Sequence, residues 1–321
     1  MTLRRCALLL AAACAATATH ADVYPSKPIR FVVAFPPGGG TDIIARSIAQ
    51  KLGERLEQQI VVDNRPGAGG NIGTDIVAKS APDGYTMLMG SAGPLAINAS
   101  LFAAMPFDPV RDLAPVTLAA STPNVLVVHP SLKATTVKDL VALARAHPGE
   151  INFASSGHGT PAHLAGELFN SMAGVKLVHV PYKGASPALA DLLGGQVQIM
   201  FSTMPPALPH VKEGKLRALA VTSLKRSPAM PGLPTLDEAA LPGFEANTWH
   251  GVVLPAGAQS AIIARLNREI VAILHMPEVV ERLSNQGAEP VGSTPEEFAA
   301  YIKSETVKWA KVVRESGAKA E

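Results

Sequence analysis

The sequence predicts an α/β fold that is built largely on parallel β-strands. Short β-like apolar runs alternate with longer segments in which apolar residues recur at helical spacing. Of the 321 residues, 47% are hydrophobic and 17% are charged, which provides a large buried core and excludes a disordered chain. Gly and Pro number 27 each, which is more than average usage and indicates many tight loops between short elements.

The first run of this alternation covers residues 29–89. Helical spacing is clearest in its second segment, where Ile44, Ile48 and Leu52 recur on one face. The predicted elements are, in chain order, a strand at 29–35, a helix at 42–56, a strand at 60–63, a helix at 73–80 and a strand at 85–89.

A second run covers residues 124–221 and predicts a separate lobe. Its elements are a strand at 124–129, a helix at 136–146, a strand at 151–155, a helix at 161–173, a strand at 177–180, a helix at 186–193 and strands at 197–201 and 216–221. Because the apolar strands at 124–129 and 216–223 flank this block, we expect them to connect two lobes. The predicted division assigns residues 22–123 plus 224–321 to lobe 1 and residues 124–223 to lobe 2.

The C-terminal region adds a strand at 248–254 and further helices. The last helix is predicted to begin after Thr294, because Thr294, Pro295 and Glu297 combine an N-cap, a first-turn proline and a capping box. It is predicted to stop before Gly317. Four apolar residues share one face of this helix and are expected to pack into the core: Phe298, Ile302, Trp309 and Val313.

Residues 1–21 have the three-part pattern of a secretory signal peptide. Arg4 and Arg5 precede an apolar run at 6–16, and Ala21 ends a small-residue cleavage site. The run is shorter than the roughly 20 residues that span a bilayer. We expect cleavage near residue 21 and a periplasmic mature protein. A retained anchor helix and a lipoprotein attached at Cys14 are the alternatives.

Both cysteines, Cys6 and Cys14, lie in that N-terminal segment. The exported chain would therefore form no disulfide, thiolate nucleophile or Cys-ligated metal site.

The charge balance argues against nucleic-acid binding. The chain has 28 basic and 26 acidic residues, and removal of Arg4 and Arg5 leaves these numbers equal. With 4 Tyr and 2 Trp, it offers neither a phosphate-neutralising patch nor a stacking platform for bases.

Two glycine-rich turns stand out as candidate anion sites, at residues 35–46 (FPPGGGTDIIAR) and 153–169 (FASSGHGTPAHLAGELF). In each, a strand ends, glycines permit close backbone approach, and a helix begins, so that unpaired N–H groups face the loop. A Walker A loop requires Lys after the glycines, whereas this chain has Gly40-Thr41-Asp42. The alternative is an ordinary glycine turn in which Thr41 or Asp42 caps the helix.

Three further small polar loops follow predicted strands, at residues 90–93, 182–186 and 201–203. Because ligands lie outside the carboxyl ends of strands in open α/β sheets, all five loops are expected along one cleft. In these loops and in the first turns of the helices that follow them, before Arg46 and Glu167, the charged or imidazole side chains are those of Asp42, Lys183, His158 and His163. A bound anion would therefore be held by backbone amides, hydroxyls and water.

Catalytic and metal-binding patterns are weak. Gly90-Ser91-Ala92-Gly93 is one residue too short for the G-x-S-x-G elbow. His158 and His163 are five residues apart and do not form an HExxH motif. We therefore predict no catalytic residue, no metal and no cofactor, and interpret His163 either as a pocket wall or as a residue satisfied at its helix end.

Three segments resemble the tripartite tricarboxylate transporter substrate-binding proteins, the Bug-type (TctC-like) periplasmic receptors. They are YPSKPIRFVVAFPPGGGTDIIAR, VVDNRPGAGGNIGTDIVAKSAPDGYTML and VPYKGASPALADLLGGQVQIMF. The resemblance implies a two-lobed, type II-like periplasmic-binding-protein fold with two connecting strands. It also implies a small carboxylate held in the cleft by main-chain amides and water, and delivery to membrane permease subunits. We expect a monomer that is not an enzyme.

The resemblance also implies the ligand contacts: Phe35, Pro37, Gly38, Gly39, Gly40, Thr41, Asp42, Ser91 and Ala92 from the first lobe, and Ser155, Ser156, Gly157, Gly159, Thr160, His163, Gly184, Ala185, Ser202 and Thr203 from the second. The sequence leaves two other functions open. One is a sensor subunit that presents its ligand to a membrane histidine kinase, and the other is an enzyme on the same scaffold.

Overall fold

A computed structural model describes residues 24–319, which form a mixed α/β fold. The strands are β1 (Ile29–Val33), β2 (Ile60–Asn64), β3 (Thr86–Ser91), β4 (Leu113–Val128), β5 (Asn152–Ser155), β6 (Val178–Pro181), β7 (Ile199–Thr203), β8 (Arg217–Val221), β9 (Asn247–Pro255) and β10 (Glu289–Pro290). The predicted signal segment lies outside the described residues.

The helices are α1 (Gly40–Leu56), α2 (Asn71–Ala78), α3 (Asn98–Leu101), α4 (Val137–Ala146), α5 (Pro161–Ala173), α6 (Ala185–Leu193), α7 (Met204–Lys212), α8 (Leu236–Ala239), α9 (Ser260–Leu274), α10 (Pro277–Ser284) and α11 (Pro295–Ser316). A 3₁₀ turn at Ala68–Gly70 precedes α2, and a π-helical turn at Gly93–Ile97 precedes α3. In the part of the chain that the structure describes, no helix has the length and apolar character needed to cross a membrane.

The strands follow the order β2-β1-β3-β9-β4-β7-β5-β6. In the first sheet segment, β2, β1 and β3 are parallel, β9 is antiparallel to β3, and β4 pairs with β9 from Leu113 to Pro123. In the second sheet segment, β4 pairs from Asn124 onward with β7 and β8, and β5 is parallel to β6 and β7. One strand, β4, therefore belongs to both sheet segments.

The predicted strand at 124–129 thus corresponds to the last five residues, 124–128, of a 16-residue strand. Residues 113–123 of this strand were missed because Pro115, Pro123 and several small polar residues interrupt their apolar pattern. Most other boundaries shift by one to three residues. For example, β1 ends at Val33, before the predicted 35, and α1 begins at Gly40 because the last glycine already adopts helical geometry.

The chain crosses between the sheet segments at two adjacent places, within β4 and again between β8 and β9. Asn124 and Thr222 are joined by two hydrogen bonds of 2.9 Å, one from Asn124 N–H to the hydroxyl Oγ1 of Thr222 and one from Thr222 N–H to Asn124 O. Asn124 Nδ2 donates to Ala246 O at 2.9 Å, and Thr248 Oγ1 donates to Asn124 Oδ1 at 3.1 Å. These buried bonds hold both crossings together.

The C-terminal helix packs against residues of both sheet segments. Thr294 caps α11 with a capping box, and the four predicted apolar residues are buried in a cluster that includes Leu126 and Phe153. The buried Glu305 carboxylate accepts hydrogen bonds from the indole N–H groups of Trp249 and Trp309, at 2.9 and 2.8 Å. The predicted boundaries of this helix and its core-facing stripe agree with the structure.

Candidate ligand-binding site

Several helices begin at one small, partly open cavity between the two sheet segments, which we call the inner cavity. Its volume is about 30 Å³. The lining residues come from the β1–α1 and β5–α5 loops, from the starts of α1, α5 and α6, from the ends of β3 and β7 and from β9: Phe35, Gly39, Gly40, Thr41, Ser91, Ser156, Thr160, Pro161, Ala162, Ala185, Thr203, Thr248 and His250. Among residues 24–319, no Lys, Arg, Asp or Glu lines this cavity.

A second space, the outer cavity, lies beside it and shares Phe35 and Ser156 with it. Its volume is about 230 Å³, and it is lined further by the glycine-rich segment 67–70 and by Phe102, Gly157, His158, Pro181, Tyr182 and Lys183. Lys183 therefore lies at the outer cavity and away from the inner one.

The β1–α1 loop presents the start of α1 to the inner cavity. Its N-cap is Gly39, which has no side chain that could accept a bond from the first amides. Ile43 N–H makes the first bond of the helix, to Gly39 O at 3.0 Å. The amides of Gly40, Thr41 and Asp42 precede this bond and have no helical acceptor. The partial positive charge of the helix N-terminus is thus directed at the cavity.

Asp42 does not face the cavity but holds the loop in place. Its buried carboxylate accepts bonds of 2.9 Å from Gly38 N–H, Arg46 Nε and Asn64 Nδ2. Burial alone would raise the pKa of Asp42, but the hydrogen bonds from Arg46, Gly38 and Asn64 outweigh this and lower it below 3.8. The anion stabilises the conformation in which Gly38 has a φ of +78°.

The β5–α5 loop has the same sequence pattern but satisfies most of its own amides. Thr160 Oγ1 accepts from His163 N–H at 3.3 Å and donates to Gly157 O at 2.8 Å. Gly157 N–H donates to Ser155 Oγ at 3.1 Å, and Gly159 N–H to His163 Nδ1 at 3.3 Å.

Pro161, the first residue of α5, has no N–H. Within the described first turn of α5, the amide of Ala162 is the one left to face the inner cavity. The second loop therefore offers fewer donors than its sequence pattern suggested.

The β6–α6 loop packs directly against the β1–α1 loop. Ser186 Oγ donates to Pro37 O at 2.9 Å, and Gly184, with a φ of +141°, lies against the Pro36 ring. Gly40 likewise faces Thr203 across the inner cavity, since a Cβ added at Gly40 would lie 2.8 Å from Thr203 Oγ1. The two sheet segments are therefore in contact around the cavity.

Nine predicted contact residues line the inner cavity: Phe35, Gly39, Gly40, Thr41, Ser91, Ser156, Thr160, Ala185 and Thr203. The other ten support the loops or pack behind them and do not line the inner cavity: Pro37, Gly38, Asp42, Ala92, Ser155, Gly157, Gly159, His163, Gly184 and Ser202. Of these, Gly157 lines the outer cavity.

His250 and Thr248 on β9 line the inner cavity and were missed by sequence reasoning. His250 lies opposite Ser91 in the β3–β9 pairing and is 1% exposed.

Burial lowers the pKa of His250 to about 3, so its ring is neutral. Within residues 24–319, neither ring nitrogen nor Ser91 Oγ has a hydrogen-bond partner. Buried polar atoms of this kind normally bind something, so a cavity ligand or water is the expected partner. The signal in the sequence was a single histidine within an apolar strand.

His163 turns away from the inner cavity and joins two other histidines behind the loop. Its ring stacks on that of His179 at a centroid distance of 4.0 Å, and His158 meets both rings edge-on. Ser155 Oγ lies 2.6 Å from His179 Nε2. The sequence allowed two interpretations of His163, as a wall of the pocket or as a residue whose hydrogen bonds are satisfied at the helix end. Its position favours the second interpretation.

The fold and the uncharged cavity between its sheet segments define a solute-binding protein of the periplasmic-binding-protein class. The chain belongs to the TctC family, the tripartite tricarboxylate transporter family receptors, whose model matches residues 44–318. This is a family of transporter receptors and not of enzymes.

Named relatives cover nearly the whole chain. The Bordetella pertussis protein BugT is 45% identical over 313 residues, which is 97% of this chain and 96% of that protein. The R. palustris protein Rpa4515, solved with adipate, has a TM-score of 0.91, 39% identity and coverage of 92% and 99%. MatC of Rhodopseudomonas palustris, solved with bound malate, has a TM-score of 0.86, 32% identity and coverage of 90% and 100%. The periplasmic binding protein BugD has a TM-score of 0.89 at 35% identity, with coverage of 93% and 100%.

Proposed function

We propose that this receptor binds a small organic carboxylate in the inner cavity and delivers it to the membrane permease subunits of a tripartite transporter. The observation that carries the proposal is the convergence of the N-termini of α1, α5 and α6 on one cavity lined without charged side chains. Helix N-termini present N–H donors and partial positive charge, which together favour an anion. The adipate and malate bound by two structural relatives support this class of ligand.

The proposed ligand contacts are the nine predicted residues that line the inner cavity, together with Ala162, Thr248 and His250. Amides from the start of α1 would hold one carboxylate group. Ser91 and His250 would hydrogen-bond a polar group of the ligand deeper in the cavity, because both are buried without partners in the described chain.

Ligand entry requires the two sheet segments to separate. A cavity of about 30 Å³ admits little more than a water molecule or two. We propose that two lobes, residues 22–123 plus 224–321 and residues 124–223, open and close about the crossings near Asn124 and Thr222. Small-angle scattering should show a smaller radius of gyration at saturating ligand, and an unchanged radius would contradict lobe closure.

The protein is further proposed to be exported by cleavage of residues 1–21 and to act as a periplasmic monomer. N-terminal sequencing of periplasmic material should find a chain that begins near residue 22. Material that still begins at Met1 would contradict cleavage, and size-exclusion chromatography with light scattering would test the monomer.

A thermal-shift screen tests the binding function directly. The mature protein would be heated with acetate, butyrate, succinate, malate, adipate, citrate and, as neutral solutes, glucose and glycerol. A carboxylate that binds the folded state should raise the melting temperature in a concentration-dependent manner. Stabilisation by a neutral solute alone would contradict the proposal.

A further inference from the structure

The side chains of Ser91 and His250 lie together where β3 and β9 border the inner cavity. Antiparallel pairing places the two residues opposite each other, so both side chains are on the same face of the sheet. Both residues line the cavity, and they are only 2% and 1% exposed. This part of the cavity therefore holds three polar atoms, Ser91 Oγ and the two ring nitrogens of His250, that the rest of the described chain leaves without a hydrogen-bond partner.

The neighbours of this pair on the sheet are apolar. Met89 and Val252 form the preceding pair on the same face of β3 and β9, and Ala120 of β4 lies opposite His250 on its other side. All three are fully buried and belong to one hydrophobic cluster. Because these side chains have no hydrogen-bonding group, a partner for Ser91 and His250 has to come from the cavity.

The β3–β9 side of the cavity is also uncharged. Burial lowers the pKa of His250 to about 3, so its ring is neutral. In the part of the chain that the structure describes, no Lys, Arg, Asp or Glu lines the inner cavity, and Lys183 lies at the outer one. Ala92 and Gly93, where the helical turn after β3 begins, do not line the inner cavity either. A carboxylate placed beside Ser91 and His250 would therefore be a buried charge without a counter-charge, which is costly.

We propose that Ser91 and His250 make this receptor selective for a carboxylate that also carries a hydroxyl group, and against one that carries a second carboxylate. The inference rests on the proposed function, in which amides at the start of α1 hold the carboxylate. A hydroxyl group both donates and accepts, so it can pair with the Ser91 hydroxyl and with whichever nitrogen of His250 it meets, protonated or not. It brings no charge into this part of the cavity.

The same unpaired atoms explain why other ligands would bind less tightly. A ligand without the hydroxyl would bury Ser91 and His250 without a partner, and sites built to hydrogen-bond a hydroxyl reject analogues that lack it. A second carboxylate beside His250 would raise the pKa of its ring and so bind together with a proton. Uptake of a proton on binding would thus identify a dicarboxylate site.

Calorimetry with two series of ligands tests this selectivity. Butyrate, 4-hydroxybutyrate and succinate share a four-carbon chain that ends in a methyl group, a hydroxymethyl group or a second carboxylate. Hexanoate, 6-hydroxyhexanoate and adipate form the same series with six carbons. In at least one series, the hydroxy acid should bind at least about tenfold more tightly than the other two acids. Titrations in buffers of different ionisation enthalpy at neutral pH should show no proton uptake with it.

Two variants assign the preference to the proposed residues. His250→Phe keeps an aromatic ring but removes both nitrogens, and it should reduce the preference for the hydroxy acid over its unsubstituted analogue to less than about threefold. It should not lower the melting temperature of the unliganded protein, because the nitrogens that it removes are buried and unpaired. A purely structural role of His250 predicts the reverse, a lower melting temperature with the preference retained. If His250→Phe does not fold, Ser91→Ala takes its place and should reduce the preference severalfold.

The matched control is His147→Phe, the same substitution at an exposed residue just after α4, which should keep the preference. Similar affinities within both series would overturn the inference and leave carboxylate binding intact. Tightest binding of succinate or adipate with uptake of a proton would also overturn it. Absence of binding by all six acids would contradict it as well, and the thermal-shift screen would then decide the proposed function separately.

Discussion

The β1–α1 loop and the β5–α5 loop have the same sequence pattern and different chemistry. Each follows a strand, contains at least one glycine with positive φ (Gly38 in the first loop, Gly157 and Gly159 in the second) and leads into a helix that begins at the inner cavity. In the β1–α1 loop, Gly39 at the N-cap leaves the first amides of α1 without a side-chain acceptor. In the β5–α5 loop, Thr160 caps α5, and Ser155 and His163 accept two further amides.

Because of this difference, the β1–α1 loop has free backbone N–H groups to offer a ligand, whereas most N–H groups of the β5–α5 loop are bonded within the loop. A glycine before a helix makes close approach possible, but the N-cap side chain decides whether the amides remain available. On this basis we propose that the first loop supplies backbone donors to the ligand, whereas the second supplies shape, the Ala162 amide and the side chain of Ser156. Four variants test that division, from the largest expected effect to the smallest.

Gly159→Ala should have the largest effect on ligand affinity. Gly159 has a φ of +73°, and an added Cβ would overlap Asn98 Oδ1 of α3, which belongs to the opposite side of the cleft. The substitution combines backbone strain with a block to closure, for which we expect roughly 3 kcal/mol, or about a 150-fold weaker affinity for the best carboxylate of the screen. Calorimetry would measure it.

The matched control is Gly174→Ala at the end of α5. Gly174 has a φ of +61°, but an added Cβ meets nothing within 4 Å. This variant should be destabilised by about 1 kcal/mol through the backbone alone and should keep its affinity. Equal affinity losses in both variants would show that strain, and not closure at Asn98, explains the effect.

Asp42→Asn should have the next largest effect, and this effect should be on the stability of the protein. The buried anion joins Gly38, Arg46 and Asn64, and its loss should lower the free energy of unfolding at pH 7 by about 1–3 kcal/mol. Because its pKa is lowered on folding, the wild-type contribution is complete above pH 3.8 and is lost as the pH falls through the lowered value. Urea unfolding at several pH values should therefore show the variant less acid-sensitive in that range.

Glu315→Gln is the control for this prediction. Glu315 pairs with Lys311 on the exposed face of α11, at 3.9 Å and a spacing of four residues. Such pairs contribute about 0.5 kcal/mol, so the two acidic variants should differ clearly. Equal losses would mean that Asp42 has no special role in holding the β1–α1 loop.

Local chemistry made much of the fold and part of the site predictable from the sequence. Pro161 after Thr160 places the start of α5, and Gly174 places its end, so the predicted bounds agree with the structure. The capping box at Thr294 similarly placed α11. These signals act over four or five residues, and they also identified the loops that contribute nine lining residues.

What could not be predicted depends on contacts between distant segments. Residues 113–123 of β4 were missed because pairing with β9 stabilises a stretch whose own pattern is not strand-like. His250 reaches the cavity because β9 inserts beside β3, an arrangement that the alternation of elements does not specify. The Asp42 carboxylate is oriented by a hydrogen bond from Asn64 of β2, which lies 22 residues further along the chain. From its residue type alone, Asp42 was interpreted as a helix cap or a ligand contact.

Gly39→Ala tests the donor loop without backbone strain. Gly39 has a φ of −78°, whereas its neighbour Gly38 has a φ of +78°, so alanine at Gly39 causes no backbone strain. An added Cβ would have Pro36 O at 3.5 Å as its neighbour and would otherwise restrict approach to the amides of α1. We expect unchanged stability and a loss of about 1–2 kcal/mol in binding, roughly 5- to 30-fold.

Gly232→Ala, where an added Cβ meets nothing within 4 Å, provides the control for an ordinary glycine. It should leave both stability and affinity unchanged. Wild-type affinity in Gly39→Ala would mean that the ligand does not approach the start of α1 closely.

Lys183→Ala should have the smallest effect, although Lys183 is the basic residue of the cleft loops. Its side chain lines the outer cavity, beyond the neutral residues of the inner one. An exposed charge at that distance is screened by salt, so affinity should change by less than about threefold and depend weakly on ionic strength. Titrations of this variant and Gly39→Ala against the same carboxylate at two salt concentrations would separate the two models. If Lys183→Ala abolishes binding while Gly39→Ala binds like wild type, a charged clamp from the β6–α6 loop replaces the backbone donors of the β1–α1 loop.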